Sequence, residues 1–227
     1  MKSIFLFFII IPLVSFGQDT VLIKNRLTDS VMERFYMLKS NIEIKNGQYE
    51  AVFRRKINIA IGRFKNNEKV GIWQFFNKNG RLIEKFNYDT NNITYEGPIS
   101  NKNLLFFFDD SIKTTDRLTR PLKIGGEYYG FIPFLNCFKL PFDTYGINTN
   151  LFNTYIELLI TPLGKLAWFK VYIDSLYYNY HKNFSFDVNL FSEEDRIFFP
   201  ATLNGKPILS RIIIRCSLND DGGLDFL

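Results

Sequence analysis

Shifted by 24 residues against itself, the chain matches: Gly47 falls on Gly71, Tyr49 on Trp73, Gly62 on Phe86 and Phe64 on Tyr88. A repeat this short is one small supersecondary unit. Such a unit cannot bury its own apolar face, so the copies must stack. The second copy reads Gly71-Ile72-Trp73-Gln74-Phe75-Phe76-Asn77-Lys78-Asn79-Gly80-Arg81-Leu82. Trp73 and Phe75 alternate, which places two rings on one face of a strand. Asn79-Gly80 supplies a positive-φ turn, and Leu82, Phe86 and Tyr88 follow on the return side. From Val31 to Tyr88 the chain therefore reads as successive short strands. Trp73, Phe75 and Phe76 are expected in the stacked core, the alternative being an exposed aromatic patch for a ligand or lipid headgroup. Aromatic residues make up 17% of the chain, which favours pleated sheet over helix.

The pattern resembles the degenerate MORN-like repeat, with Gly71, Trp73, Phe75 and Gly80 as its signature positions. The resemblance covers about 45 residues; the first copy keeps Gly47 and Tyr49 but lacks a second Asn-Gly turn. It implies structural or interaction surface without a catalytic group of its own.

The chain begins Met1-Lys2-Ser3, and Ile4–Phe16 then carries no charge. As a helix, that stretch spans only about 20 Å against roughly 30 Å of hydrocarbon. Ser15 and Gly17 place small residues before a cut at Gln18, the layout of a secretory signal peptide. The expected address is the periplasm or cell envelope. An uncleaved membrane anchor is the alternative. Export gives Cys137 and Cys216 access to an oxidising compartment. Two packed, unbridged thiols are the expected outcome, with a Cys137–Cys216 disulfide as the alternative. Lys and Arg are scattered, with Arg54-Arg55-Lys56 the only tight basic cluster, so no nucleic-acid face is expected.

Residues 18–90 are read as the repeat region, 91–124 as a connecting segment, 125–218 as a second domain and 219–227 as a polar tail. Within the connecting segment Leu104–Phe108 reads as a short strand. Pro133 suits the first turn of a helix carrying Phe134, Leu135 and Phe138, and Pro141 stops it. Asn153–Thr161 and Leu166–Asp174 form a hairpin about Pro162-Leu163-Gly164-Lys165. Tyr177–Phe191 fits helix and strand periods equally. Asn204-Gly205 is a turn, and Ile208–Leu218 is the last strand. Its alternation sets Ile208, Ile212, Ile214, Cys216 and Leu218 inward, with Arg211, Ile213, Arg215 and Ser217 outward.

This order resembles the C-terminal domain of TonB-type proteins over roughly 100 residues. The most specific part is Phe199-Pro200-Ala201-Thr202-Leu203-Asn204-Gly205-Lys206-Pro207-Ile208, followed by Tyr145-Gly146-Ile147 and Leu163-Gly164-Lys165. The resemblance implies a small α/β sandwich with two helices, giving an α+β chain overall. It also implies a partner, an envelope or outer-membrane protein, that adds a strand to the sheet edge. The matching edge is the last strand, through Arg211, Ile213, Arg215 and Ser217, which favour an acidic or polar peptide. The chain departs from the family in lacking a Pro-rich spacer and a glutamine-proline segment at Leu140-Pro141. The resemblance therefore bears on the domain fold more than on energy coupling or transmembrane transport.

No hydrolase, zinc or phosphate-loop motif is present, and the chain is read as non-enzymatic, without cofactor, metal or small-molecule substrate. His181 is expected exposed. Glu193-Glu194-Asp195 is expected to be a solvated turn, with calcium binding as the alternative. Three functions compete: a periplasmic strand-adding module, a structural envelope protein using its repeats as the interaction face, and a secreted hydrolase built on His181. The sequence does not fix the oligomeric state.

Overall fold

The computed structural model describes residues 19–141 and 146–227. The expected leader, its expected cleavage point before Gln18, and Tyr145 lie outside the described residues. The first seven strands are β1 (Thr20–Arg26), β2 (Val31–Leu38), β3 (Asn41–Phe53), β4 (Ile57–Lys65), β5 (Glu68–Phe76), β6 (Leu82–Asn87) and β7 (Asn92–Glu96). They form one antiparallel sheet in sequence order. Local turn chemistry explains this meander. Between β5 and β6, the Asn77 side chain accepts from the main-chain N–H of Asn79 and Arg81, and Gly80 takes φ +77°. Between β4 and β5, Asn66 and Asn67 both adopt left-handed φ, which suits a tight hairpin. The first copy turns on Arg54 and Arg55 at φ 46° and 60°, without a glycine.

The 24-residue repeat thus corresponds to two strands, β3–β4 and then β5–β6. Its equivalent positions meet in space. Trp73 is fully buried, with ring centroids of Tyr49, Phe64 and Tyr88 at 5.0, 5.3 and 5.6 Å. Phe75 is equally buried, whereas Phe76 faces the opposite side and is half-buried. The aromatic signature is core.

The remaining strands are β8 (Leu104–Phe108), β9 (Leu118–Thr119), β10 (Asn153–Ile160), β11 (Leu166–Ser175), β12 (Tyr180–Phe186), β13 (Ala201–Leu203), β14 (Lys206–Ile208), β15 (Ser210–Leu218) and β16 (Leu224–Phe226). A second antiparallel sheet runs β12-β11-β10-β15, and β8 and β16 share the far side of β15. A small third sheet has the order β14-β13-β9. Asn204 and Gly205, both at positive φ, make the β13–β14 turn. The ambiguous stretch Tyr177–Phe191 resolves as β12 plus a 3-10 turn, because Phe184 and Phe186 alternate onto Phe138. Of residues 91–124, β7 closes the first sheet and β8 joins the second. The segment 219–227 is not a frayed polar tail. Leu224, Asp225 and Phe226 are all buried in β16.

Among the described residues, helix is confined to α1 (Ile132–Asn136) and α2 (Glu193–Arg196), besides three 3-10 turns, so the fold is chiefly antiparallel sheet. The segment from Gly125 to Phe138 fills the space between the two large sheets. On one side, Tyr129 stacks on Phe75 at 5.6 Å. On the other, fully buried Phe134 meets Phe169, Phe191 and Phe198. A cross-strand row of the first sheet, Asn25-Glu33-Ala51-Ala60-Phe75-Glu84, explains the fit. Two alanines at its centre leave room for the inserted segment. Glu84, at the end of the row, accepts from the Gly125 N–H at 3.0 Å. Asp225 of β16 ties back the β1–β2 turn, accepting from Thr28 Oγ1 and the Ser30 N–H. The buried apolar residues of both halves form one continuous cluster.

Candidate functional site

The last strand has the expected faces but not the expected place. Ile212, Ile214, Cys216 and Leu218 are buried, Arg211, Ile213 and Ser217 are half-buried and Arg215 is exposed. Ile208 belongs to β14, a separate strand, and is half-buried. However, β15 is not an edge strand. Ile213 lies between Glu157 of β10 and Leu105 of β8, and the Arg215 N–H donates to the Asn103 carbonyl. Partner addition to the main chain of Arg211, Ile213, Arg215 and Ser217 is therefore overturned. The alternation of a strand reveals its faces and says nothing of its neighbours.

Those outward side chains instead lie on the solvent-facing side of the second sheet. Arg211 sits between Asp109 at 2.9 Å and Glu157 at 3.4 Å, so its charge is neutralised locally. Ser217 Oγ donates to the Asp225 carbonyl. Nearby on the same face, Tyr155 and Tyr172 stack at 4.6 Å, and Lys170 Nζ lies 4.5 Å from the Trp168 ring.

One edge of this sheet is β12, and the other is made by β8 and β16. Strand β12 pairs with β11 through seven consecutive residues without a bulge, and no strand joins its other side among the described residues. Large apolar side chains bracket it: Leu176 is 90% exposed and Tyr177 75% just before the strand, and Leu190 is 67% exposed just after. His181 sits exposed on this strand, its Nδ1 3.1 Å from Asp174 Oδ1.

The acidic run folds as α2, capped by Ser192 Oγ. Its Glu194 turns onto the first sheet, where Oε1 accepts from Lys69 Nζ at 2.5 Å and from the Tyr88 hydroxyl at 2.9 Å. Lys69 Nζ also lies 5.3 Å from the Trp73 and Tyr88 rings. Behind it, Lys123 is buried, and its ammonium donates to the carbonyls of Glu194 and Ile197 at 2.7 and 3.3 Å. Burial lowers the Lys123 pKa to about 8, against the opposing pull of Asp195 and Glu194. The Lys69–Glu194 pair separates two clefts of about 550 and 310 Å³. Sequence reading missed this junction, because Lys69, Lys123 and Glu194 come from three distant segments without a shared motif.

Cys137 and Cys216 are both free, so no Cys137–Cys216 bridge exists. Cys216 faces the core of β15, where its thiol donates to the Ile214 carbonyl, while Cys137 caps α1. Burial pushes both thiols up, Cys137 to about 12. Among the described residues, no group of three or more His, Cys, Asp or Glu could hold a metal ion, and no helix is long and apolar enough to cross a membrane. In comparisons with family models, curated proteins and solved structures, the chain matches none.

Proposed function

We propose that the chain is an exported protein-interaction module of the cell envelope that takes an extended partner segment along the outer edge of β12. The observation that carries this reading is the unbulged strand β12, which among the described residues no strand joins on its outer side, bracketed by exposed Leu176, Tyr177 and Leu190. Such an edge presents unpaired N–H and C=O groups, and exposed apolar side chains beside it offer anchors. Other edges fit less well: β7 is short and bulged, β8 and β16 have five and three residues, and β1 carries two edge charges, Lys24 and Arg26, against the single lysine, Lys182, of β12. The MORN-like and TonB C-terminal resemblances belong to the same proposal. Stacked hairpins in the first half and the β10–β11 hairpin beside β15 in the second are their support. The signal-like start of the sequence supports export.

A second reading uses the open sheet face. Trp168, Tyr155, Tyr172 and Arg215 are residue types enriched at protein interfaces.

Adjacent residues of a strand send their N–H groups to opposite edges. One of Lys182→Pro and Asn183→Pro therefore removes an outward donor and leaves the β11 ladder intact. Pull-down from envelope extract with the folded proline variant should lose the partner that the unaltered chain captures. Capture undiminished by that variant overturns edge addition. Loss with Trp168→Ala and Arg215→Glu instead transfers the interaction to the face.

A further inference from the structure

We infer that the smaller junction cleft binds a small organic ammonium ion, with the Glu33 carboxylate as its counter-charge. The cleft measures about 310 Å³, and its walls include three carboxylates, Glu33, Glu194 and Asp195, two ammonium groups, Lys69 and Lys123, and the rings of Tyr49 and Tyr129. That volume lies at the low end of small-ligand sites, roughly 300–1,000 Å³.

Charge accounting selects the ligand. Lys69 and Glu194 neutralise each other at 2.5 Å. Lys123 is bonded to two main-chain carbonyls, and Asp195 offsets its charge. The remainder is Glu33. It projects from the core side of β2, only 7% exposed. Its hydrogen bonds come from neutral groups, Asn25 Nδ2 at 3.2 Å and the Tyr49 hydroxyl. None of the ion pairs among the described residues includes it. A desolvated carboxylate without a counter-charge is unfavourable, and an incoming cation relieves that cost.

The walls suit an organic cation rather than a metal. Half-buried Tyr129, stacked on Phe75 by one face, and nearly fully buried Tyr49 stand edge-to-face with ring centroids 5.9 Å apart, and an aromatic ring attracts an ammonium group through its negative face. Of the three carboxylates at the cleft, Glu194 is bonded to Lys69 and Asp195 to Ser192, and two ammonium groups share the walls, so the several free oxygen ligands that calcium requires are not assembled. Neither the β12 edge nor the open sheet face contributes a wall, so the inference stands apart from the partner-binding proposal.

The test is titration of the full chain with tetramethylammonium and, separately, ethylammonium, followed by calorimetry and by ring resonances of Tyr49 and Tyr129. Saturable one-to-one binding of either ion is expected, with both rings shifted. Glu33→Gln keeps the side-chain size and an acceptor for Asn25, and should weaken binding at least tenfold. Exposed Glu43→Gln should leave it unchanged. Absence of saturable binding overturns the inference, as does equal affinity in Glu33→Gln. Acetate binding in preference to both cations also overturns it, since the cleft then serves anions through Lys123. If Glu33→Gln does not fold, the unaltered chain decides: shifts confined to residues remote from Tyr49 and Tyr129 overturn the assignment.

Discussion

Trp73 lies flat across Gly62: a Cβ built on Gly62 would come within 2.6 Å of the indole Cγ. The indole N–H donates to the Arg63 carbonyl at 3.3 Å, fixing the ring over the β4 backbone. Gly62 occupies the repeat position held by Phe86 in the next copy, so the two copies complement each other by size rather than by identity. Trp73→Ala should cost about 3–5 kcal/mol, the range for a large buried aromatic. Gly62→Ala should cost about 1–3 kcal/mol by overpacking against the ring. Urea denaturation measures both, and a Gly62→Ala chain as stable as the parent would show that the indole is free to move.

Ile213→Pro should unfold the second sheet instead of only blocking a surface. Ile213 is paired on both sides, so proline there removes a ladder bond inside the sheet and costs about 3 kcal/mol or more. Circular dichroism distinguishes the cases. Native-like melting of Ile213→Pro, alongside unfolding of both Lys182→Pro and Asn183→Pro, would reverse the assignment of interior and edge.

The faces of β10, β11 and β15 were legible because alternation is a local property. Thr154, Ile156, Leu158 and Ile160 all turn out buried, as do Ile212, Ile214, Cys216 and Leu218. The neighbours of β15 were not legible, since β8 lies about a hundred residues upstream and pairing at that distance leaves no periodic trace. Leu224-Asp225-Phe226 was hidden for another reason: three residues are too few to show alternation, and the preceding Asp220-Asp221-Gly222-Gly223 reads as tail. Glu33 and Glu84 were missed because an inward carboxylate on a strand breaks the apolar pattern and passes for a surface residue.

Arg55→Gly should stabilise the chain. Arg54 and Arg55 hold left-handed φ at the β3–β4 turn, a conformation that is costly for a residue with a side chain. Arg54 gains a contact with the Phe53 ring, whereas Arg55 is exposed. Relief of strain, less the greater entropy of glycine in the unfolded chain, leaves a gain of about 0.5–1 kcal/mol. Thermal melting checks it, and a lower Tm would show that Arg55 holds the turn through its side chain.

Stability should fall as pH rises from about 4.5 to about 7, with Glu84 responsible for a measurable share. Burial raises the Glu84 carboxyl from its ordinary 4.5 to about 7, overcoming the N–H groups of Gly125 and Gly126 that favour the anion. Within that window the folded chain retains a proton that the unfolded chain releases. The folded state then binds more protons, so raising the pH favours unfolding. Below about 4.5 both states hold the proton and the contribution is complete; above about 7 both have lost it and the penalty levels off. At about 1.4 kcal/mol per pKa unit, the penalty reaches about 3.5 kcal/mol. Glu84→Gln keeps an acceptor for the Gly125 N–H and carries no charge. Its stability should vary less with pH than the parent's between 5 and 7, and the difference between the two chains isolates Glu84 from the other carboxylates. Parallel pH profiles for the two chains would mean that Glu84 ionises in the folded state as freely as in the unfolded one. The contact between β6 and the Gly125-Gly126 turn would then be solvated rather than sealed between the sheets.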